Sequence, residues 1–211
     1  MTRGKYWYIY ILYMSSSTQL GVLERLKEKE VVFVTRGSLA RLLNISNANT
    51  VQKILQRLEN NGLLTRLKKG LYIVSGSNTG TFEIANVTLQ PSYVSFETAL
   101  NYYSVLPQFP FSITCATTKK SRDFQVGKKS YEYTQISKNL YWGFEKQGGF
   151  LIATPEKALL DMVHLVTKGI RSLDFSELDL SNVNKIKLKG MIRMANQKQI
   201  TAFFRRTKLY A

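Results

Sequence analysis

Apolar positions recur with helical spacing in the first third of the chain. From Asn49 to Asn61, Val51, Ile54, Leu55 and Leu58 fall at i, i+3, i+4 and i+7, which predicts a helix with one buried stripe. Its other face carries Thr50, Gln52, Lys53, Gln56, Arg57 and Asn60, and Gly62 ends it where a positive φ is wanted. Upstream, Ser38 is placed to cap a shorter helix with Leu39, Leu42 and Leu43 inward, and Asn44-Ile45-Ser46-Asn47 makes the turn between the two. Thr18–Lys29 reads as a first helix with Leu20, Leu23 and Leu26 inward and Glu24/Glu28 beside Arg25/Lys29 outward. Val31–Val34, Leu63–Leu67 and Leu71–Val74 are strand-like, the last two joined through Lys68-Lys69-Gly70. Helix, turn, helix, then a hairpin with a basic tip is the order of a winged helix-turn-helix.

Ser75-Gly-Ser-Asn-Thr-Gly80 interrupts this pattern with turn residues. The predicted division is a winged domain over 1–75, a linker over 76–80 and a mixed α/β domain over 81–211 with a helical tail, an α+β protein in all. In the second domain Phe82–Leu89 is strand-like, Gln90-Pro91-Ser92 turns, and Ser95 is placed to cap a helix through Phe96–Tyr103. Val105–Pro110 is a proline-bearing loop. Phe111–Thr118, Arg122–Val126, Tyr131–Ile136, Tyr141–Phe144 and Phe150–Ala153 read as strands, with Gly127-Lys128-Lys129 as a hairpin turn. Thr154, Pro155 and Glu156 then form a strong helix start, with Ala158, Leu159, Met162, Val163 and Val166 as the buried side. Beyond Gly169 the tail is mostly helical, with Lys185, Lys189 and Arg193 on one face and Leu188, Ile192 and Ala195 on the next.

Charge changes the picture. The 211 residues carry 30 Lys/Arg against 14 Asp/Glu, a net +16. Residues 1–75 hold 12 against 4 and residues 76–211 hold 18 against 10, so each part contributes +8 and the excess is confined neither to the winged domain nor to a tail. That balance suits a polyanionic partner, nucleic acid or an anionic membrane surface. On the predicted helix, Asn49, Thr50, Gln52, Lys53, Gln56 and Arg57 suit base edges and phosphates, with Ser38 beside them, and Lys68 and Lys69 at the wing tip suit phosphates. In the second domain Thr117-Thr-Lys-Lys-Ser-Arg122 sets three cations among three hydroxyls, so Lys119, Lys120 and Arg122 join Lys185, Lys189 and Arg193 as candidate phosphate contacts. Tyr6–Met14 superficially resembles a signal peptide, but it is too short to span a bilayer and lacks a small-residue cleavage site. It reads as a segment packed on the domain or as the product of a start codon placed somewhat upstream, and no membrane partner is expected. A lone cysteine, Cys115, excludes an intrachain disulfide and fits a reducing cytoplasm.

Catalytic chemistry is sparse. His164, the one histidine, has no ligand cluster around it in sequence, Cys115 lies in an apolar run, and Gly76-x-x-x-Gly80 lacks the lysine of a phosphate loop. A nuclease would be the enzyme to expect beside a DNA reader, yet no Glu-x-Lys or Asp-x-Lys occurs in the chain, and Asp123, Glu132, Glu145, Asp161 and Asp174 are scattered. No enzyme activity, cofactor or metal is predicted.

Four separated blocks carry a resemblance. Pro91-Ser-Tyr-Val-Ser-Phe-Glu-Thr-Ala-Leu-Asn-Tyr-Tyr103, Ala116-Thr-Thr-Lys-Lys-Ser-Arg122, Tyr131-Glu-Tyr133 and Phe150-Leu-Ile-Ala-Thr-Pro-Glu-Lys-Ala-Leu-Leu-Asp161 resemble the AbiEi antitoxin family. The first domain is similar too, through Leu58-Glu59, Gly62-Leu63 and Lys69-Gly-Leu-Tyr72, so the likeness spans residues 15–205 and omits the Tyr-rich start. The polar Asn47–Asn49 turn is the other departure, and it bears on the operator sequence. The resemblance implies an antitoxin of a type IV abortive-infection system against phage. Such proteins repress their own operon at inverted repeats and counteract a nucleotidyltransferase-like toxin encoded alongside. It also implies that the second domain is needed for antitoxin activity and that both domains build a positively charged face. A stand-alone repressor with a ligand- or partner-sensing second domain, which would need a pocket with convergent polar groups, and a DNA-processing enzyme remain as alternatives.

Overall fold

The computed structural model describes residues 19–207 and 209. The expectations for Tyr6–Met14 and for Thr18 lie outside the described residues. The chain is a mixed α+β protein with two sheets, dividing into a first compact unit that ends at Thr79 and a second that begins at Gly80.

In the first unit α1 (Gln19–Glu28) buries Val22 and Leu26, one turn apart, and leaves Leu20 72% exposed. The inward stripe is therefore rotated from the expected Leu20-Leu23-Leu26 set, and Leu23 lies only at its edge. Strand β1 (Phe33–Thr35) runs straight into α2 (Arg36–Leu43), and Thr35 is the residue that caps it. Ser38 sits inside the helix at its third position, so its expected role as cap is corrected. Thr35 Oγ1 accepts from Ser38 N at 3.1 Å while Ser38 Oγ accepts from Thr35 N at 2.8 Å, a reciprocal box that satisfies two otherwise orphaned donors. Asn44, in the left-handed region at φ 54°, ends α2. After it comes α3 (Ala48–Asn60), opened by Asn47, and Gly62 at φ 70° turns the chain into β2 (Leu64–Lys68) and β3 (Leu71–Val74). Antiparallel β1 and β2 flank β3. Val22, Leu26, Leu39, Val51, Leu55 and Leu58 form the heart of this core, each contributing about 1.5–3 kcal/mol by leaving water.

The second unit is built on a six-stranded mixed sheet of order β6-β7-β5-β4-β9-β8. Its strands are β4 (Ser92–Val94), β5 (Ser112–Thr117), β6 (Arg122–Val126), β7 (Lys129–Gln135), β8 (Phe144–Gln147) and β9 (Phe150–Ala153). Pairs β4–β9 and β5–β7 are parallel, the rest antiparallel. Two expected strands are corrected. Phe82–Leu89 is helix α4 (Thr81–Thr88), started by the Glu83 carboxylate accepting from Gly80 N at 3.3 Å and packed on β4, β5 and β9. The strand expected at Tyr141–Phe144 starts only at Phe144, because a single 3-10 turn over Lys138–Leu140 and Gly143 at φ 76° occupy the approach.

Helix α5 (Phe96–Tyr102) and helices α7 (Lys185–Ala195) and α8 (Lys198–Thr207) pack around α6 (Pro155–Thr167). Enclosed by them, α6 is buried on every side from Glu156 to Leu165, not along the single stripe expected, while Val166 is only half-buried. Arg171 then ties α5 to β7, its guanidinium lying 2.7 Å from Glu97 and 2.8 Å from Glu132.

Candidate nucleic-acid interface

Asn47 positions the start of α3. Its Oδ1 accepts from Asn49 N at 2.9 Å and Thr50 N at 3.2 Å, replacing two of the partners that the first turn lacks. With Val51, Leu55 and Leu58 wholly buried, the helix is held by one side. Asn49, Thr50, Lys53, Gln56 and Arg57 are exposed on the other, and Gln52 is half-buried. An exposed face of amides, a hydroxyl and two cations offers paired donors and acceptors of the kind that read base edges.

Gln52 has a particular place. With Thr35, Arg36, Gly37, Arg66, Lys69, Gly70 and Tyr72 it lines a groove of ≈ 510 Å³ between the start of α2, α3 and the β2–β3 hairpin. Three cations, Arg36, Arg66 and Lys69, and no acid stand among its described lining residues. Lys69 was expected there; Arg36 and Arg66 were not. Arg66 shows only a weak sequence signal, because the register shifts between Arg66 and Lys68 and disturbs the simple alternation of β2. Arg36 was hidden by being read as the approach to a helix that in fact begins with it. Lys68 ends β2 half-buried, while Lys69 and Gly70, at φ 80°, make the tip. The Ser38 hydroxyl, expected to help contact DNA, is occupied by its reciprocal bonds to Thr35.

In the second unit the expected cations fall in two places. Lys119, Lys120 and Arg122 are exposed at the β5–β6 connection. Two of the three hydroxyls there hold the loop instead of facing outward: Thr117 Oγ1 donates to Pro91 O at 2.7 Å, and Ser121 Oγ accepts from Gln135 N at 2.8 Å. Lys185, Lys189 and Arg193 are exposed along α7, and a groove of ≈ 350 Å³ brings Lys189, Ile192 and Arg193 together with Thr201 and Arg205 of α8. Lys187 is instead drawn to Glu156, 3.0 Å away. A count divided at Asp179 refines the charge picture: residues 76–179 balance ten Lys/Arg with ten Asp/Glu, and the remaining stretch holds eight Lys/Arg and no acid. The +8 of the second part is therefore concentrated in the helical tail after all.

Buried titratable groups lie elsewhere. Lys157 and Asp161, both with wholly buried side chains, pair within α6. Tyr93 Oη and Ser95 Oγ each donate to Asp161 Oδ2 at 2.8 Å, and Lys157 Nζ donates to Tyr93 Oη at 3.0 Å. The Ser95 hydroxyl, expected to cap α5, is thus committed to α6. Trp142 covers the ammonium, with 5.2 Å from Nζ to the ring centre, and a side chain at Gly143 would meet the Lys157 carbons at 3.0 Å. This network is closed over itself and joins α6 to β4. Its residues were passed over because an i, i+4 Lys–Asp pair in sequence looks like any solvated face.

His164 is also buried, with Nδ1 3.0 Å from Gln197 Oε1, and burial holds its pKa below the usual histidine value. Cys115 is buried in β5 and burial pushes its thiol up, away from the reactive thiolate. Among the described residues no group of three or more His, Cys, Asp or Glu is placed to hold a metal ion, and no helix is long and apolar enough to cross a membrane. No protein-family model matches the chain, and no curated protein sequence matches it.

Proposed function

We propose that the first unit is a winged helix-turn-helix that reads double-stranded DNA, with α3 as its recognition helix and the β2–β3 hairpin as its wing. The observation that carries this reading is the Gln52 groove, where the first turn of α2, Gln52 of α3 and the hairpin converge on three cations without an acid. Asn49, Thr50, Gln52, Lys53, Gln56 and Arg57 enter the major groove, and Lys68 and Lys69 take phosphates beside it. The acid-free tail, with Lys185, Lys189 and Arg193, and the Lys119/Lys120/Arg122 turn add sequence-independent contacts.

On this reading, taken with the four blocks that resemble AbiEi proteins, the protein is a cytoplasmic, non-enzymatic antitoxin of a type IV abortive-infection system. It represses its own operon at inverted repeats and counteracts a nucleotidyltransferase-like toxin. The test is co-expression of the chain with the product of the adjacent reading frame: growth is restored by the intact protein. A toxin that kills regardless, or a neighbouring frame with no toxicity, removes the antitoxin assignment.

One observation favours a ligand-sensing repressor as second reading. Asn86 Oδ1 accepts from Leu151 N, which leaves its buried Nδ2 without a partner beside a cavity of ≈ 470 Å³ lined by Gln90, Ser92 and Tyr141. A small molecule that raises the melting temperature of the wild type but not of Asn86→Leu, and releases DNA, would support it.

A further inference from the structure

The loop between α5 and β5 presents two phenyl rings to solvent. Phe109 is 87% exposed and Phe111 107%, the most exposed large apolar residues described. The loop itself is firmly built. Val105 and Leu106 are buried anchors, and Asn101 Nδ2 donates to the carbonyls of Leu106 and Gln108, both at 3.1 Å. Gln108 Nε2 donates to Glu177 Oε2 at 2.6 Å, and Asp179 N donates to Val105 O at 2.9 Å. Pro107 and Pro110 restrict the backbone around Phe109. Rings held ready in this way bind at low entropic cost.

The charge around the loop narrows the occupant. Glu177 is bonded to the loop and Asp179 follows, while Arg171 on the same stretch is already neutralised between Glu97 and Glu132. Phosphate surfaces, whether nucleic acid or lipid, are repelled there. The complementary surface is an apolar groove with a cationic rim, and this chain carries one. Val166, Thr167, Gln199, Ala202, Phe203 and Arg206 line a groove of ≈ 460 Å³ between α6 and α8, with the Arg206 guanidinium 5.7 Å from the Phe203 ring centre. A cavity of about 150 Å³ already accepts benzene. Loop and groove are neighbours: Glu177 and Phe175 belong to one 3-10 turn, and the Phe175 and Phe203 rings are 5.0 Å apart.

From this adjacency we propose that a second copy of this chain covers the face, each copy placing Phe109 and Phe111 in the α6–α8 groove of the other, with Glu177 against Arg206. Two complementary patches side by side make a self-complementary surface, which a two-fold axis closes into a dimer. Four phenyl rings bury roughly 150–250 Å² each, which by itself is about half of the about 1,200–2,000 Å² of a stable interface, and the groove walls and rim add to it.

Sedimentation equilibrium of the full chain over about 1–200 µM tests this. The mass rises from the 24.2 kDa monomer toward twice that value. Phe109→Ser/Phe111→Ser and, separately, Ala202→Trp, which fills the groove, each weaken association by at least about 30-fold, the loss typical of hot-spot aromatics. Both variants keep the circular dichroism and melting temperature of the wild type, since the altered positions are exposed. Mixing the two variants restores one of the two loop–groove contacts and recovers part of the association. A wild type that stays monomeric, a dimer insensitive to both variants, or no recovery on mixing overturns the proposal.

Discussion

Lys157 and Asp161 stand one turn apart in α6 and form an ion pair with neither side chain exposed. Removing one charge strands the other in a medium that solvates it poorly. Lys157→Met therefore destabilises the second unit by about 3–5 kcal/mol. Lys157→Met/Asp161→Asn recovers part of that loss, because the neutral amide oxygen still accepts from Tyr93 and Ser95. Urea unfolding of the three proteins checks this, and a single variant as stable as the wild type would refute it.

Acid weakens the fold in two stages. The folded pKa of His164 is lowered, first by burial and then by Lys168, so below the ordinary histidine value of 6.5 the unfolded chain takes up a proton that the folded chain resists. Stability then falls with pH. Burial pushes Glu156 and Glu132 up, but hydrogen bonds from Asn184 and Lys187, and from Ser112 and Arg171, outweigh it and leave both lowered. Their contribution is present above the ordinary carboxylate range and is lost as pH drops through it. The melting temperature is expected to fall from pH 7.5 to 5 and again below it, with His164→Gln flattening the first stage only.

Asn47 is the hinge between sequence and reading. Asn47→Ala removes the acceptor for two α3 amides and costs about 0.5–2 kcal/mol of first-unit stability. Asn47→Asp retains the cap and adds a charge favoured at a helix start. Operator affinity, measured by fluorescence anisotropy, is expected to drop in the first and persist in the second.

On the proposed reading the β2–β3 hairpin contacts the DNA backbone and not the bases. Lys68→Ala/Lys69→Ala weakens specific and non-specific DNA alike and reduces the salt slope by roughly 1.8, about 0.9 for each lost phosphate contact. Operator preference lost with the slope unchanged would place these lysines on bases instead.

The elements most readily legible were those whose local signals agree with their packing. Thr154-Pro155-Glu156 marks the start of α6, and the Val51–Leu58 stripe is the buried side of α3, because cap chemistry and periodicity both act locally. Helix α4 was misread since Phe82, Ile84, Val87 and Thr88 are residue types that favour strands. What decides it is the Glu83–Gly80 contact and the docking of Asn86 on Leu151, a partner 65 residues away. At the candidate interface the helix face was visible in its spacing. Arg36 and Arg66 were not, because only the closing of β1, α2 and the hairpin brings them beside Gln52. The Lys157 network escaped for a similar reason: its burial depends on Tyr93, Trp142 and Gly143 closing over one side of α6, residues distant from it in sequence.

The proposal that α3 reads DNA is open to a single titration. The full chain and a variant with Thr50, Gln52, Lys53, Gln56 and Arg57 all replaced by Ala are compared on the promoter of its own operon and on scrambled DNA across salt. The wild type is expected to prefer the promoter by the 10³-fold or more typical of specific binders, and the variant to bind both DNAs equally and weakly. Promoter binding unchanged by all five replacements would show that α3 is not the recognition helix.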